Sequence, residues 1–157
     1  VSIPCGRVGD TTVNVGTITG GSADNVVPEQ CCVTGEVRSF DDGSARARLA
    51  EIEATVKAAA QAVGAEVEFS TETLCLAYRV EPDHPVAERF QKVCADLDLS
   101  GELTVTYGGS DNNHFCLHGL QGLVVAPGMN SCHSCQEYTS VDELTRAAKL
   151  AEALIRE

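Results

Sequence analysis

Thr11-Thr12-Val13-Asn14-Val15-Gly16-Thr17-Ile18-Thr19, answered by Cys31-Cys32-Val33-Thr34-Gly35-Glu36-Val37-Arg38, decides the fold of the first half of the chain. Both stretches alternate apolar and polar residues with the two-residue period of a half-buried strand. Val13 and Val15 fall on one side of the first, and Cys31, Val33 and Val37 on one side of the second. Between them Gly20-Gly21-Ser22-Ala23-Asp24-Asn25 is rich in turn formers and closes through Val26-Val27-Pro28. The spacing predicts two antiparallel strands. Leu49, Ile52, Val56, Ala59, Ala60 and Val63 then recur at three-and-four spacing, which predicts a helix from Ser44 to Val63 with Gly64 as its stop. Residues 65–80 return to alternation through Val67, Phe69, Leu74, Leu76, Tyr78 and Val80 and predict one long or interrupted strand. This half therefore reads β-β-α-β. A ferredoxin-like domain is β-α-β-β-α-β, so the expectation is a partial ferredoxin-like α+β domain lacking its leading β-α, with an exposed edge on the strand at 11–19.

The pattern breaks at Glu81-Pro82-Asp83-His84-Pro85, which sets the expected domains at 1–82 and 83–157. Asp83 and the early Pro85 signal a helix start for a stripe of Val86, Phe90, Val93 and Leu97. A strand is expected at 102–107. The apolar run Leu123-Val124-Val125-Ala126 does not alternate, as in a strand covered on both faces of a parallel sheet. A last helix opens with the capping box Ser140-x-x-Glu143 and carries Leu144, Ala148, Ala151 and Ile155 on one face. This half reads α-β-loop-β-loop-α, a piece of an α/β layer structure.

Composition narrows the class. With 157 residues, 43% of them hydrophobic, the chain can bury a core, and with aromatics at 4% and no Trp that core is built from Ala, Val, Leu and Ile. A net charge of −12 without a basic stripe excludes a phosphate backbone as partner. No run of about 18 apolar residues is present, so no membrane partner is expected. Eight cysteines in a chain with this much apolar content point to free thiols in a reducing cytosol rather than to a disulfide framework. Cys31, Cys75, Cys94 and Cys116 lie within apolar patterns, where a thiol behaves as a small hydrophobe.

Two loops hold the candidate chemistry. Gly108-Gly109-Ser110-Asp111 ends the strand at 102–107, and His133 lies between the apolar run and the capped last helix, where open α/β sheets present ligand-binding groups. Neutral imidazole suits Zn²⁺. Cys132-His133-Ser134-Cys135 also admits a structural zinc site or a redox pair, but Cys31-Cys32 and His114-x-x-x-His118 are poorly spaced as a second ligand pair. A redox CxxC should open a helix early in a βαβ unit, whereas this one sits in a late loop. Arg38 shares the polar face of its strand with Glu36 and Thr34, which allows a plain surface ion pair.

These residues carry a resemblance. Tyr107-Gly108-Gly109-Ser110-Asp111 and Gly128-Met129-x-x-x-His133-x-x-x-Glu137-Tyr138, with Val15-Gly16-x-Ile18-x-Gly20-Gly21, Asn25-Val26-Val27-Pro28 and Gly35-Glu36-Val37-Arg38-Ser39, resemble the dinuclear zinc metallopeptidases that include peptidase T, carboxypeptidase G and aminoacylase. The likeness runs from about Thr11 to Ile155 and identifies the chain with the C-terminal half of such an enzyme. It implies that the partial ferredoxin-like domain is a lid that mediates dimerisation, and that the second domain is an α/β segment of a zinc-exopeptidase catalytic domain. It further implies that His133 ligates one of two zinc ions. Gly108, Gly109, Ser110 and Asn113 would line the substrate pocket, with Asn112-Asn113 standing where Ala-Asn is usual. Asn25 and Arg38, thirteen residues apart, would bind the carboxylate or scissile region of a small peptide or acylated amino acid, as an Arg fork suits a carboxylate. The remaining metal ligands and the glutamate that serves as general base precede Val1 in the family order, so the parent is expected to be a cytosolic hydrolase and the isolated segment inactive. The other expectation is a module that dimerises or binds a partner without chemistry.

Overall fold

The computed structural model describes residue 3, residues 5–126 and residues 128–156. They divide into two compact units, one ending at Ala77 and one beginning at Tyr78.

The first unit is a three-stranded antiparallel sheet and a helix. Strands β1 (Gly6–Val8), β2 (Thr11–Gly20) and β3 (Cys31–Ser39) lie in the order β1-β2-β3, followed by helix α1 (Asp42–Ala62). The predicted hairpin is present, with Thr11 opposite Ser39 and Gly20 opposite Cys31, and with a register shift between Val15 and Thr17. Gly35 belongs to this ladder because a Cβ there would sit 2.4 Å from the Asn14 carbonyl oxygen. Strand β1 was not foreseen. It covers Thr11–Val13, so the expected exposed edge of β2 is confined, among the described residues, to Asn14–Gly20.

Helix α1 follows its stripe: Ile52 is buried, and Leu49, Val56, Ala59 and Ala60 are half-buried. Asp41 caps it, its Oδ1 accepting from Ser44 N–H at 2.7 Å. Its end is a Schellman turn, with Ala65 N–H on the Ala60 carbonyl and Gly64 N–H on that of Gln61. Val63 lies past that end and is 80% exposed, outside the buried stripe expected to include it. The helix packs on β3, and burial collects at that end of the sheet around Val13 and Thr11, whose hydroxyl meets Ser39 Oγ at 2.9 Å. Cys31, Val33 and Ile18 at the far end are exposed.

The strand expected over 65–80 is absent from the described ladders. Val67 and Phe69 do alternate in burial with their neighbours, but alternation only makes a segment eligible for a sheet, and a strand requires a backbone partner. The same correction applies to 102–107 and 123–126, neither of which is a strand here. The β-β-α-β and α-β-loop-β-loop-α readings become β-β-β-α and three helices.

The second unit holds α2 (Pro85–Asp96), α3 (Asp111–Leu117) and α4 (Val141–Arg156). Pro85 stands in the first turn of α2 as expected, but the cap is His84, whose Nδ1 accepts from Val86 N–H at 3.2 Å, rather than Asp83. The core is Val93, Cys94 and Leu150, with Phe90, Leu97, Leu99, Val125, Ala153 and Leu154 packed around it. Full burial of a side chain of the size of Val93 stabilises by about 1.5–3 kcal/mol. Burial pushes the Cys94 thiol pKa up. Cys116 is half-buried, whereas Cys31 and Cys75 are exposed thiols and not core hydrophobes. Helix α4 turns Leu150 and Leu154 inward and leaves Leu144, Ala148, Ala151 and Ile155 exposed. It carries two apolar stripes, and the one singled out in the sequence is the outer one.

Candidate functional site

The loop that carries His133 is closed at its base by one backbone pair. Asn130 N–H donates to the Tyr138 carbonyl at 3.0 Å and Tyr138 N–H to that of Asn130 at 3.1 Å. The Asn130 side chain then ties this base to helix α4. Its Nδ2 donates to Glu143 Oε1 at 3.1 Å and Oε2 at 3.3 Å, and to the Gly128 carbonyl at 3.3 Å. Glu143 also completes the predicted capping box, Oε2 accepting from Ser140 N–H at 2.9 Å while Ser140 Oγ accepts from Glu143 N–H at 3.2 Å. The Asn130 amide, and after it the Ser140 hydroxyl, hold the Glu143 carboxyl below its ordinary pKa.

Inside the loop the backbone is strained. Ser131 and His133 have φ of 50° and 63°, a left-handed conformation that side chains other than Gly and Asn resist. Local hydrogen bonds hold it: His133 N–H donates to Glu137 Oε2 at 2.8 Å, Ser134 Oγ to the Ser131 carbonyl at 2.7 Å, and Glu137 N–H to the Ser134 carbonyl at 3.1 Å. Residues 131–140 are all exposed, the imidazole of His133 among them. The Glu137 carboxylate is thus occupied with the backbone beside His133. Among the described residues no three His, Cys, Asp or Glu side chains converge on a common point. His133 therefore offers one donor, and a metal centre cannot be completed from this chain's described side chains alone.

The Gly108–Asn113 loop is braced in the same manner. Asn113 is buried and its Oδ1 accepts from Ser110 N–H at 2.9 Å, closing the first turn of α3. Asn112, also buried, donates from Nδ2 to the Gly122 carbonyl at 2.8 Å, where a Cβ on residue 122 would meet Asn112 Oδ1 at 2.6 Å. Asn113 shapes the loop from inside, while Gly108 and Gly109 are exposed and Ser110 half-buried.

In the first unit Asn25 is exposed in the β2–β3 connection, beyond the Gly20–Cys31 pair, whereas Arg38 lies opposite Thr12 at the other end of the hairpin. Arg38 stands roughly 20 Å along β3 from Cys31, where the connection that carries Asn25 rejoins the sheet, at a strand rise near 3.3 Å per residue. The Arg38 guanidinium donates to Glu36 through Nε and Nη2, each at 3.0 Å. That contact raises the Arg38 pKa against the opposing effect of burial.

The peptidase dimerisation domain matches residues 6–64, the whole three-stranded sheet and α1. Over 156 residues the chain is 28% identical to the uncharacterized protein YqjE of Bacillus subtilis, covering 99% of this chain and 42% of that protein. It is 24% identical to peptidase T of Geobacillus thermodenitrificans over 123 residues, 76% of this chain and 30% of that enzyme. Its fold matches the crystal structure of aminopeptidase PepT from Bacillus cereus with a TM-score of 0.82 at 25% identity, covering 97% of this chain and 41% of that one. Residues 6–64 match the peptidase dimerisation domain, and the chain is similar to peptidase T over much of its length. It spans less than half the length of each of these relatives.

The Gly-rich loop and the His133 loop are marked in the sequence by their residues, but what positions them is not. Asn130 and Asn112 act through contacts 13 and 10 residues away. The one local sign was the Ser140–Glu143 cap, which gave no hint that Glu143 also holds the loop.

Proposed function

We propose that this chain is the lid and the closing catalytic segment of a cytoplasmic, zinc-dependent exopeptidase or amidohydrolase acting on small peptides or acylated amino acids. Residues 1–82 form the lid and dimerisation domain and residues 83–157 the C-terminal part of the catalytic domain. The observation that carries this reading is the His133 loop, a left-handed turn locked at its base by Asn130 and Glu143. Such a loop presents one exposed imidazole in a fixed place, which is what the last donor of a centre assembled mainly elsewhere requires. His133 would hold one of two zinc ions, which supply Lewis acidity and lower the pKa of bound water. The chain's own contribution to substrate is binding. Gly108, Gly109 and Ser110 offer backbone groups on a loop that Asn113 keeps in shape, and Arg38 would exchange its Glu36 partner for a substrate carboxylate. Asn25, at the far end of the hairpin, serves a separate contact. On this reading the 157-residue chain alone is inactive.

The test is His133→Ala in the longer protein, with hydrolysis of a tripeptide, zinc content and thermal midpoint measured side by side. Turnover should vanish while the fold is kept, since an exposed loop imidazole contributes nothing to the core, and the midpoint should fall only by what the lost zinc contributed. Retention of two zinc ions and near-normal hydrolysis would falsify the assignment. A second reading, a module that dimerises without chemistry, draws on the free side of β2 from Asn14 to Gly20, which can pair with another strand. It is distinguished by hydrolysis itself.

A further inference from the structure

We propose that His114 and His118, on the exposed face of α3, form a two-imidazole site for a divalent transition-metal ion, separate from the His133 loop. The sequence predicts only a loop between the strand at 102–107 and the run at 123–126, and it is the formation of α3 that puts these two residues one helical turn apart. Histidines at i and i+4 have neighbouring Cβ atoms about 5–6 Å apart on one face, a spacing at which two imidazoles reach a common ion.

Three features fix that face. Asn112 and Asn113 are buried and Cys116 half-buried, so at about 100° per residue the inward face of α3 lies between them. His114, His118 and Asp111 fall on the opposite side, and all three are exposed. The inward face cannot rotate, because Asn112 is bonded to the Gly122 carbonyl and Asn113 to Ser110 N–H. The helix end is equally defined: Leu120 N–H reaches the Phe115 carbonyl at 2.9 Å and Gly119 N–H that of Cys116 at 3.1 Å, a Schellman turn around Gly119 at φ 79°. His118, the C-cap at φ −97° and ψ 15°, thereby continues the helical path closely enough to stay on the His114 face.

No third side chain among the described residues completes a cage here, so water fills the remaining positions and the ion stays exchangeable. Imidazole pairs suit Cu²⁺, Ni²⁺ and Zn²⁺, and the order of divalent affinities puts Cu²⁺ first. Only the folded α3 brings the two rings together, so the ion binds the native chain and raises its thermal midpoint.

The experiment is calorimetric titration of the full chain with Ni²⁺ and then Cu²⁺, after its exposed thiols are blocked by alkylation to remove soft competing ligands. One equivalent should bind, more tightly for Cu²⁺, with a rise in thermal midpoint. His114→Gln and His118→Gln should each weaken binding at least about tenfold, because losing a direct ligand costs no less than losing the outer-shell partner of one. The double variant should bind more weakly than either single one, and His133→Ala should bind like the parent. All three sites are exposed, so circular dichroism should be unchanged. The proposal is overturned if only one of the two histidines matters, if neither does, or if His133→Ala removes the binding.

Discussion

Glu143 serves two structures with one carboxylate: it caps α4 through Ser140 and anchors the His133 loop through Asn130. Both uses require the charged form, and both contribute to the lowered pKa of the folded protein. The stabilisation is therefore complete above the range where an unfolded glutamate titrates, and it is lost as pH falls through the lower folded value. Glu143→Gln should lower the thermal midpoint near neutrality and flatten its decline toward acid. Equal acid sensitivity in both proteins would show that Glu143 takes no part in it. Gly128 provides the companion test. It has φ 87°, and a Cβ there would stand 2.6 Å from the Cβ of Glu143 at the base of that side chain. Gly128→Ala should destabilise by about 1–3 kcal/mol through backbone strain and displacement of Glu143. Denaturant unfolding measures this, and a loss below about 0.5 kcal/mol would mean that the loop relaxes freely.

Two glycines of the β2–β3 hairpin separate a packing demand from a mere preference at the level of elements. A Cβ at Gly35 would lie 2.4 Å from the Asn14 carbonyl oxygen, whereas one at Gly16 would come no nearer than 3.8 Å to the Thr34 carbonyl oxygen. Gly35→Ala should then force the strands apart and cost on the order of 1–3 kcal/mol, as overpacking does, while Gly16→Ala stays within about 1 kcal/mol. Equal midpoints for the two variants in denaturant would refute the distinction. The hairpin and α1 were legible because their patterns are local: two-residue alternation between turn formers, then a stripe ended by Gly64. Elements whose existence depends on distant partners were not. Val67 and Phe69 alternate without a ladder, β1 is three residues long and visible only through its pairing with Thr11–Val13, and Asp111-Asn112-Asn113 reads as a turn until its asparagines are seen buried. The face of α4 could not be chosen from sequence because both of its stripes are apolar, and only packing on α2 selects Leu150 over Ala148.

At the scale of the whole molecule the sequence singles out two loops, and among the described residues neither gathers three metal-capable side chains. What the chain holds by itself is a segment that matches a dimerisation domain and a large negative charge. These oppose each other. Two copies, each with a net charge of −12, repel as they approach, and that repulsion reaches about 30 Å at 0.01 M salt but only about 10 Å at 0.1 M. Strand pairing along Asn14–Gly20 acts at contact distance and is not screened in this way. Self-association of the isolated chain should therefore strengthen as salt rises across that range, the reverse of an interface held by ion pairs between copies. Sedimentation equilibrium at several salt concentrations measures it. Ile18, which is 69% exposed on β2, supplies the control: Ile18→Glu adds a like charge to each copy beside the proposed edge and should weaken the dimer most at low salt. A chain that stays monomeric at every salt concentration would show that the free side of β2 carries no association, and a dimer that salt weakens would show that copies meet through another surface.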